Sequence, residues 1–329
     1  MKTSLRLIGC AVGFAALALT GALAQEPAFN IQFVSQFDYP GTGNQTRPQK
    51  INDRGDIVGV YVDSSGVSRG FIMFGNGSFS PPLVDPNDAA NLTEGRGINN
   101  SRLVCGDYTD SAAAFEGFFF SRSTFTNYDI EPTFTIVLGV NNAGDFAGSV
   151  IPSSGTQEGF LSIGGTVTEF AVPTATATLA YQLNTSNQSC GYYNDSSSLS
   201  HGFFRDSDGT LHVGIDPVGS TTTILFGNND RNFIVGRYVD AAAATHGILF
   251  VPPNRFVVYD FPGATFTSLN GINRANQIVG RYTETATGTD HGIILKVVRS
   301  SAGVTLPLAS PSAPEQALPQ RQVNTAPAY

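Results

Sequence analysis

The chain reads as an all-β protein, a six-bladed β-propeller of four-stranded antiparallel blades, and three observations lead to that reading. An Asn recurs at Asn52, Asn99, Asn141, Asn184, Asn229 and Asn273, in steps of 47, 42, 43, 45 and 44 residues. A Gly follows each after seven residues (Gly59, Gly106, Gly148, Gly191, Gly236, Gly280). A second Gly comes eleven or twelve residues later (Gly70, Gly117, Gly159, Gly202, Gly247, Gly292). A period near 44 residues holds about four short strands, the size of one propeller blade. No helical i, i+3, i+4 pattern persists after the first 24 residues.

The fifth repeat shows how one unit becomes a blade. Ile224 to Asn228 is a short first strand, and Asn229-Asp230-Arg231-Asn232 is a polar turn. Phe233 to Val239 is a β-rich second strand. Asp240 to Thr245 is a small-residue loop, and His246-Gly247 opens a third strand that runs to Phe250. Pro252-Pro253-Asn254 turns the chain into a fourth strand, Arg255 to Asp260, ended by Pro262-Gly263. Val, Ile, Phe and Tyr fill the strands while Gly, Pro and Asn punctuate them. The repeated Asn reads as a turn residue that tolerates left-handed backbone and hydrogen-bonds locally, and the glycines as places where strands approach closely. Phe71, Phe118, Phe160, Phe203, Ile248 and Ile293, each just after a second glycine, read as core.

The ends of the repeat array complement one another. The sixth unit stops after its third strand, Ile293 to Val298. Ahead of the first unit, Ile31 to Asp38 and Tyr39-Pro40-Gly41 match a fourth strand and its exit turn, as in Tyr259-Asp260-Phe261-Pro262-Gly263. The N-terminal strand is therefore expected to close the last blade and leave no exposed edge.

Residues 1–24 read as a signal peptide. Lys2 and Arg6 form a charged start, Ile8 to Leu19 is mostly apolar, and Ala22-Leu23-Ala24 places small residues before Gln25. The rival reading, a lipoprotein box at Leu7-Ile8-Gly9-Cys10, is disfavoured because most of the apolar stretch follows Cys10. Residues 25–29 form a short linker, 30–299 the repeats, and 300–329 a Pro/Ala-rich tail expected to be disordered. The expected address is outside the cytoplasm, extracellular or periplasmic, after cleavage near Ala24. Removing Lys2 and Arg6 leaves 16 basic against 26 acidic residues, a formal charge of −10. A sparse, acidic surface argues against nucleic acid, whose phosphates demand clustered Lys and Arg. No later segment is long and apolar enough for membrane insertion.

The string Gly271-Ile272-Asn273, Ile278-Val279-Gly280, Tyr282, His291-Gly292-Ile293 resembles the repeat of the bacterial extracellular repeat proteins of the HAF family. That unit reads G-I-N-x-x-G-x-I-V-G-x-Y, then H-G-F and a D-x-P-G exit. The likeness covers residues 30 to 298, with local departures. Phe146-Ala147-Gly148 replaces Ile-Val-Gly in repeat three, and Arg69, Glu116 and Glu158 stand where His is expected. The resemblance implies a secreted repeat protein and carries over no catalytic residues. Some relatives end in a sorting signal; Asn324 to Tyr329 does not match one, which favours release over anchoring.

Chemistry-bearing patterns are few. His201, His246 and His291 begin third strands of consecutive repeats, on the order of 15 Å apart in a sixfold ring given ~4.8 Å between strands. A shared metal site, which needs nitrogens about 2 Å from one ion, is not expected, and no cofactor is implied. Asp63, Asp110, Asp195, Asp240 and Glu284, each four residues after a first glycine, read as turn-formers. Cys105 and Cys190 fall in non-adjacent repeats and read as buried thiols. There is no G-x-S-x-G elbow or phosphate loop, and no Trp to stack a sugar.

The informative positions are those where the repeats disagree. Three and five residues before the repeat Asn, on the strand nearest the axis, repeats three to five carry Ile136 and Leu138, Leu179 and Tyr181, Ile224 and Phe226. Repeats six, one and two carry Ser268 and Asn270, Arg47 and Gln49, Glu94 and Arg96, while Lys50 and Gln182 replace a Gly found elsewhere. In a closed ring this makes a channel with one polar side and one apolar side. The candidate ligand-binding set at its mouth is Arg47, Gln49, Lys50, Glu94, Arg96, Tyr181, Gln182, Phe226 and Asn270. Against it stands a simpler reading, in which the apolar set fills blade interfaces and the charged set faces solvent.

The first functional expectation is a binding or scaffold module for a glycan, peptide or protein. An extracellular hydrolase or lyase using Glu94 with Arg47 or Arg96 is the alternative, and a purely structural envelope or matrix protein the third. Glu94 exposed and unpaired would favour binding, Glu94 buried against an Arg in a deep pocket would favour catalysis, and a plugged channel would favour structure.

Overall fold

The computed structural model describes residues 28–41 and 45–300, with three short segments at 305–306, 315–316 and 321–323. The expected signal peptide and residues 25–27 of the expected linker lie outside the described residues. Strand β1 is Ala28–Phe37, so the strand already includes Ala28 and Phe29. Repeat one supplies β2 (Gln45–Ile51), β3 (Ile57–Val62) and β4 (Ser68–Met73). Repeat two supplies β5 (Glu94–Ile98), β6 (Val104–Thr109), β7 (Phe115–Ser121) and β8 (Thr124–Tyr128). Repeat three supplies β9 (Thr135–Val140), β10 (Phe146–Val150), β11 (Glu158–Ile163) and β12 (Thr166–Phe170). Repeat four supplies β13 (Ala177–Leu183), β14 (Ser189–Asn194), β15 (Ser200–Arg205) and β16 (Thr210–Val213). Repeat five supplies β17 (Ser220–Asn228), β18 (Ile234–Asp240), β19 (Thr245–Val251) and β20 (Arg255–Tyr259). Repeat six supplies β21 (Ala264–Ile272), β22 (Gln277–Glu284) and β23 (Asp290–Ser300).

The strands form four-stranded antiparallel blades in a propeller arrangement, but the expected six uniform blades are corrected to four. Repeats two to five each make a four-stranded meander of consecutive strands. Repeat one makes a three-stranded sheet, β2-β3-β4. Its next segment carries Pro81-Pro82, which lacks backbone donors and cannot continue a ladder. Isolated bridges at Gly70↔Leu83 and Met73↔Phe79 take the place of a fourth strand. Repeat six pairs β23 with β1 from Ala28↔Ser300 to Phe37↔Gly292, with a bulge between Phe33 and Ser35. That sheet joins repeat five through the single parallel pair Thr245↔Phe266.

A circle of side-chain hydrogen bonds links all six repeats. Asn52 Nδ2 donates to the Asn99 carbonyl at 3.0 Å, Asn99 to Asn141 at 3.1 Å, and Asn141 to Asn184 at 3.2 Å. Asn184 donates to Asn229 at 3.3 Å, Asn229 to Asn273 at 3.0 Å, and Asn273 back to Asn52 at 3.0 Å. Each Oδ1 meanwhile accepts backbone N–H groups two and four residues on, as Asn52 does from Arg54 and Asp56. Two donors on Oδ1 and carbonyls facing Nδ2 leave one amide orientation that satisfies both ends. All six Asn are buried, 3–5% exposed. The local hydrogen bonding expected of these Asn is thus present, while the left-handed backbone lies three residues later, at Gly55, Arg102, Gly144, Asn187, Asn232 and Asn276.

The first glycine of each repeat sits where a side chain cannot. A Cβ on Gly191 would lie 1.9 Å from the Leu179 carbonyl, and one on Gly148 2.0 Å from that of Ile136. The residue after the second glycine packs over this point, and Phe71, Phe118, Phe160, Phe203, Ile248 and Ile293 are all fully buried. Apolar clusters run between repeats. One joins Cys105 and Phe119 to Val137, Phe146 and Phe160; another joins Ile31 of β1 to Leu249, Leu269 and Leu295. Cys105 and Cys190 are buried free thiols.

The outer positions are also structural. His201, His246 and His291 pair with the exit-turn acids Asp216, Asp260 and Asp38, at 2.7, 3.0 and 2.8 Å. Tyr238 and Tyr282 stack on His246 and His291. Asp63, Asp110, Asp195 and Asp240 each accept two backbone N–H groups of their own loop. Past Ser300, β24 (Thr305–Leu306) pairs with β20, β25 (Glu315–Gln316) with β16, and β26 (Arg321–Val323) with β12.

Deleting residues 28–37 would expose the β23 edge and strip Ile31 from its cluster. The melting temperature of the truncated protein should fall by roughly 10 °C or more, a loss of several kcal/mol at this size. An unchanged melting temperature in a thermal scan would contradict the closure role of β1.

Candidate functional site

The innermost strand of every repeat carries a bulge at the same place. Pairing between first and second strands slips at Pro48/Lys50, Gly95/Gly97, Ala180/Gln182, Leu225/Gly227 and Leu269/Gly271, and in repeat three opposite Ala147/Gly148. The extra residue stands three before the repeat Asn: Gln49, Arg96, Leu138, Tyr181, Phe226 and Asn270. A bulge leaves its extra residue outside the ladder and re-aims its side chain. The six bulges gather most of the candidate residues at the axis.

A cavity of about 200 Å3 lies there. Seven of the nine candidates line it: Arg47, Gln49, Glu94, Arg96, Tyr181, Phe226 and Asn270, together with Ser268, Arg237 and Arg281. Lys50 and Gln182 do not. They stand one residue nearer the repeat Asn, between this cavity and a second of about 60 Å3 bordered by the Asn circle. Lys50 Nζ donates to the Asn270 carbonyl at 3.3 Å and lies 5.7 Å from the centre of the Tyr181 ring, contributed by repeat four. Gln182 Nε2 donates to the Leu183 carbonyl. Glycines at the equivalent places make room, since a Cβ on Gly139 would meet Gln182 Oε1 at 2.5 Å.

The far end is spanned by polar groups. Asp53 accepts hydrogen bonds from Arg274 N, Asn100 Nδ2 and Asn142 Nδ2, and Arg274 Nε also pairs with Asp230.

Two cavity residues were missed by reading first strands alone. Arg237 and Arg281 come from second strands, immediately after the first glycines Gly236 and Gly280. The corresponding residues elsewhere are Val60, Asp107, Ser149, Tyr192, so the mixture of charge at that column was the available signal. Their arrival corrects the expected two-sided channel, because Arg237 puts a cation on the apolar side. Ile136, Leu138 and Leu179 recede from the cavity and pack with Ala177, as the interface-filling reading expects.

The charges form two clusters. Arg96 pairs with Glu94, and its Nε donates to Asp107 Oδ1 at 2.8 Å. Burial pushes the Asp107 carboxyl up, outweighing the attraction of Arg96; the same carboxylates hold Arg96 firmly protonated. Arg47 Nε and Arg281 Nη1 both donate to Asp290 Oδ2 at 2.7 Å. Burial pushes Arg281 down to about 10, lowers Arg237 and raises Tyr181. Tyr181 and Phe226 meet edge to face with centroids 5.1 Å apart. The arrangement can hold a small group between aromatic faces and guanidinium donors. Among the described residues no cluster of His, Cys, Asp and Glu could hold a metal ion, and no helix is long and apolar enough to cross a membrane.

Neither a scan against protein-family models nor a search of curated proteins finds a match to this chain.

Lys50 is pushed down to about 8 by burial. The unfolded chain, with an ordinary lysine near 10.5, then binds more protons than the folded one between pH 8 and 10.5, so stability rises with pH across that window. Lys50→Met removes a desolvation cost of about 3 kcal/mol and a hydrogen bond worth about 1. Urea unfolding at pH 7 should show the variant more stable by about 2 kcal/mol, with the difference shrinking above pH 8. A variant less stable than wild type at pH 7 would contradict this placement of Lys50.

Proposed function

We propose that the protein is an exported binding module in which six repeat wedges close head to tail, the axial cavity holding part of a glycan, peptide or protein ligand. The six-link Asn circle, running from Asn52 round to Asn273 and back, and the bulge common to all six inner strands support head-to-tail closure of the six repeats. Export rests on the charged, apolar and small-residue pattern of residues 1–24, and the likeness to the HAF repeat agrees with it. The observation that carries the binding reading is the convergence of Tyr181 and Phe226 with Arg47, Gln49, Arg237 and Asn270 on one small cavity. An aromatic wall with a few oriented polar groups is how small ligand moieties are usually held.

One observation favours an enzyme instead. Glu94 is paired with Arg96 at the cavity, the pairing expected of a hydrolase or lyase, though with its side chain 23% exposed and so not the buried carboxyl that reading asks for. Its would-be partner Asp107, however, has a side chain only 4% exposed and engaged by Arg96, so it offers no second accessible carboxyl group.

A screen of glycans and peptides by ligand-observed NMR tests the binding reading. A ligand found with the wild-type protein should lose tenfold or more in affinity in Tyr181→Ala and in Phe226→Ala, each with a cooperative melt retained. Glu94→Gln should still bind without any turnover to lose. Binding indifferent to both aromatic truncations would place the site elsewhere, and product formation abolished by Glu94→Gln would favour the enzyme.

A further inference from the structure

The charges around the axial cavity do not balance. Four guanidinium groups, Arg47, Arg96, Arg237 and Arg281, face three carboxylates, Glu94, Asp107 and Asp290. Arg96 takes two of the three, and Arg47 and Arg281 share a single oxygen of the third. Arg237 is left with neither an ion pair nor a hydrogen bond among the described residues. Its guanidinium lies 5.4 Å from the ring centres of both Phe226 and Phe266, and Arg281 approaches the Phe266 ring at 4.7 Å. Two cations therefore share Phe266, one of them without a counterion. Lys50 sits beneath the same cavity with a single hydrogen bond. In a chain whose formal charge is −8, this concentration of positive charge is local.

We infer that the axial cavity takes a carboxylate, carried on a ring that lies against Tyr181 and Phe226, with Arg237 as the group that pairs with it. The inference rests on the binding reading above and names its ligand class. Arginine's planar fork suits a carboxylate, with two parallel N–H···O bonds. Arg237, the one guanidinium at the cavity without a counterion among the described residues, offers a place for one carboxylate. A volume of about 200 Å3 admits a sugar acid or an aromatic acid and little more. Burial lowers Arg237 and Arg281, a cost that an incoming anion would offset.

Calorimetric titration of the full chain with glucuronate and benzoate, against the neutral glucose and benzamide, tests this. The acids should bind at least tenfold more tightly than their neutral counterparts, and more weakly as salt rises. Arg237→Gln should erase the preference and Arg237→Lys restore part of it. Binding of both acids would mean that the carboxylate itself is read; binding of glucuronate alone would mean a sugar acid, and of benzoate alone an aromatic acid. Acids binding no better than neutral molecules, or an undiminished preference in Arg237→Gln, would overturn the inference. The first of these is read on the wild-type protein, so it does not depend on how the variant folds. Neutral glycans or peptides that bind while both acids fail would sink the inference and leave the binding module standing.

Discussion

The head-to-tail hydrogen bond between successive repeat Asn residues is the constraint on which the rest of the molecule depends. Each buried amide answers two local N–H groups with Oδ1 and reaches the next repeat's carbonyl with Nδ2. The last link, Asn273 to Asn52, spans 221 residues of chain. A buried polar group left unpaired costs roughly 1–3 kcal/mol, so each link is costly to break once its neighbours are in place. The circle fixes how far each inner strand reaches along the axis, and with it the height at which Arg47, Arg96, Tyr181 and Phe226 project.

From that anchor outward, the repeat motif is mostly spent on architecture. The first glycine lets the bulged inner strand press its carbonyl against the second strand. The Phe or Ile after the second glycine covers the contact. In repeats five and six Tyr stacks on His outside, with the exit Asp holding the imidazole. These residues recur because every wedge has the same packing problem. The cavity is built from what remains, the positions at which a wedge is free to differ. Gln49, Arg96, Tyr181, Phe226 and Asn270 occupy one such column, Arg237 and Arg281 another.

This division explains what could be read in advance. A period with invariant Asn and Gly predicted strands, turns and closure by β1, because each of those is a local or pairwise demand repeated many times. Repetition did not predict the uneven sheets. Pro81-Pro82 removes a strand from repeat one, and the contact between Thr245 and Phe266 merges two sheets; both are single-copy events. The inter-repeat reach of Asn was invisible too, since a turn-forming Asn and a linking Asn look alike in sequence. Most of the cavity residues were legible as departures from the repeat. Arg237 and Arg281 also depart from their column, but that column lies on the second strand, one strand away from the axis where ligand-facing residues are expected. Lys50 was placed at the mouth by its column but lies in the floor, its stem filling space that glycine leaves empty in four other repeats.

The most direct measurement is equilibrium unfolding of Asn273→Asp beside Asn184→Asp. Aspartate keeps the oxygen that organises the local turn but replaces the donor with a second oxygen facing the next repeat's carbonyl. If the circle holds the molecule together, both variants should lose stability by comparable amounts, about 2–4 kcal/mol or more at pH 7, in a single cooperative transition. Wild-type stability in both, or a loss at Asn184 with none at Asn273, would mean that the repeats are held by their sheets alone and that the ring is not closed through its asparagines.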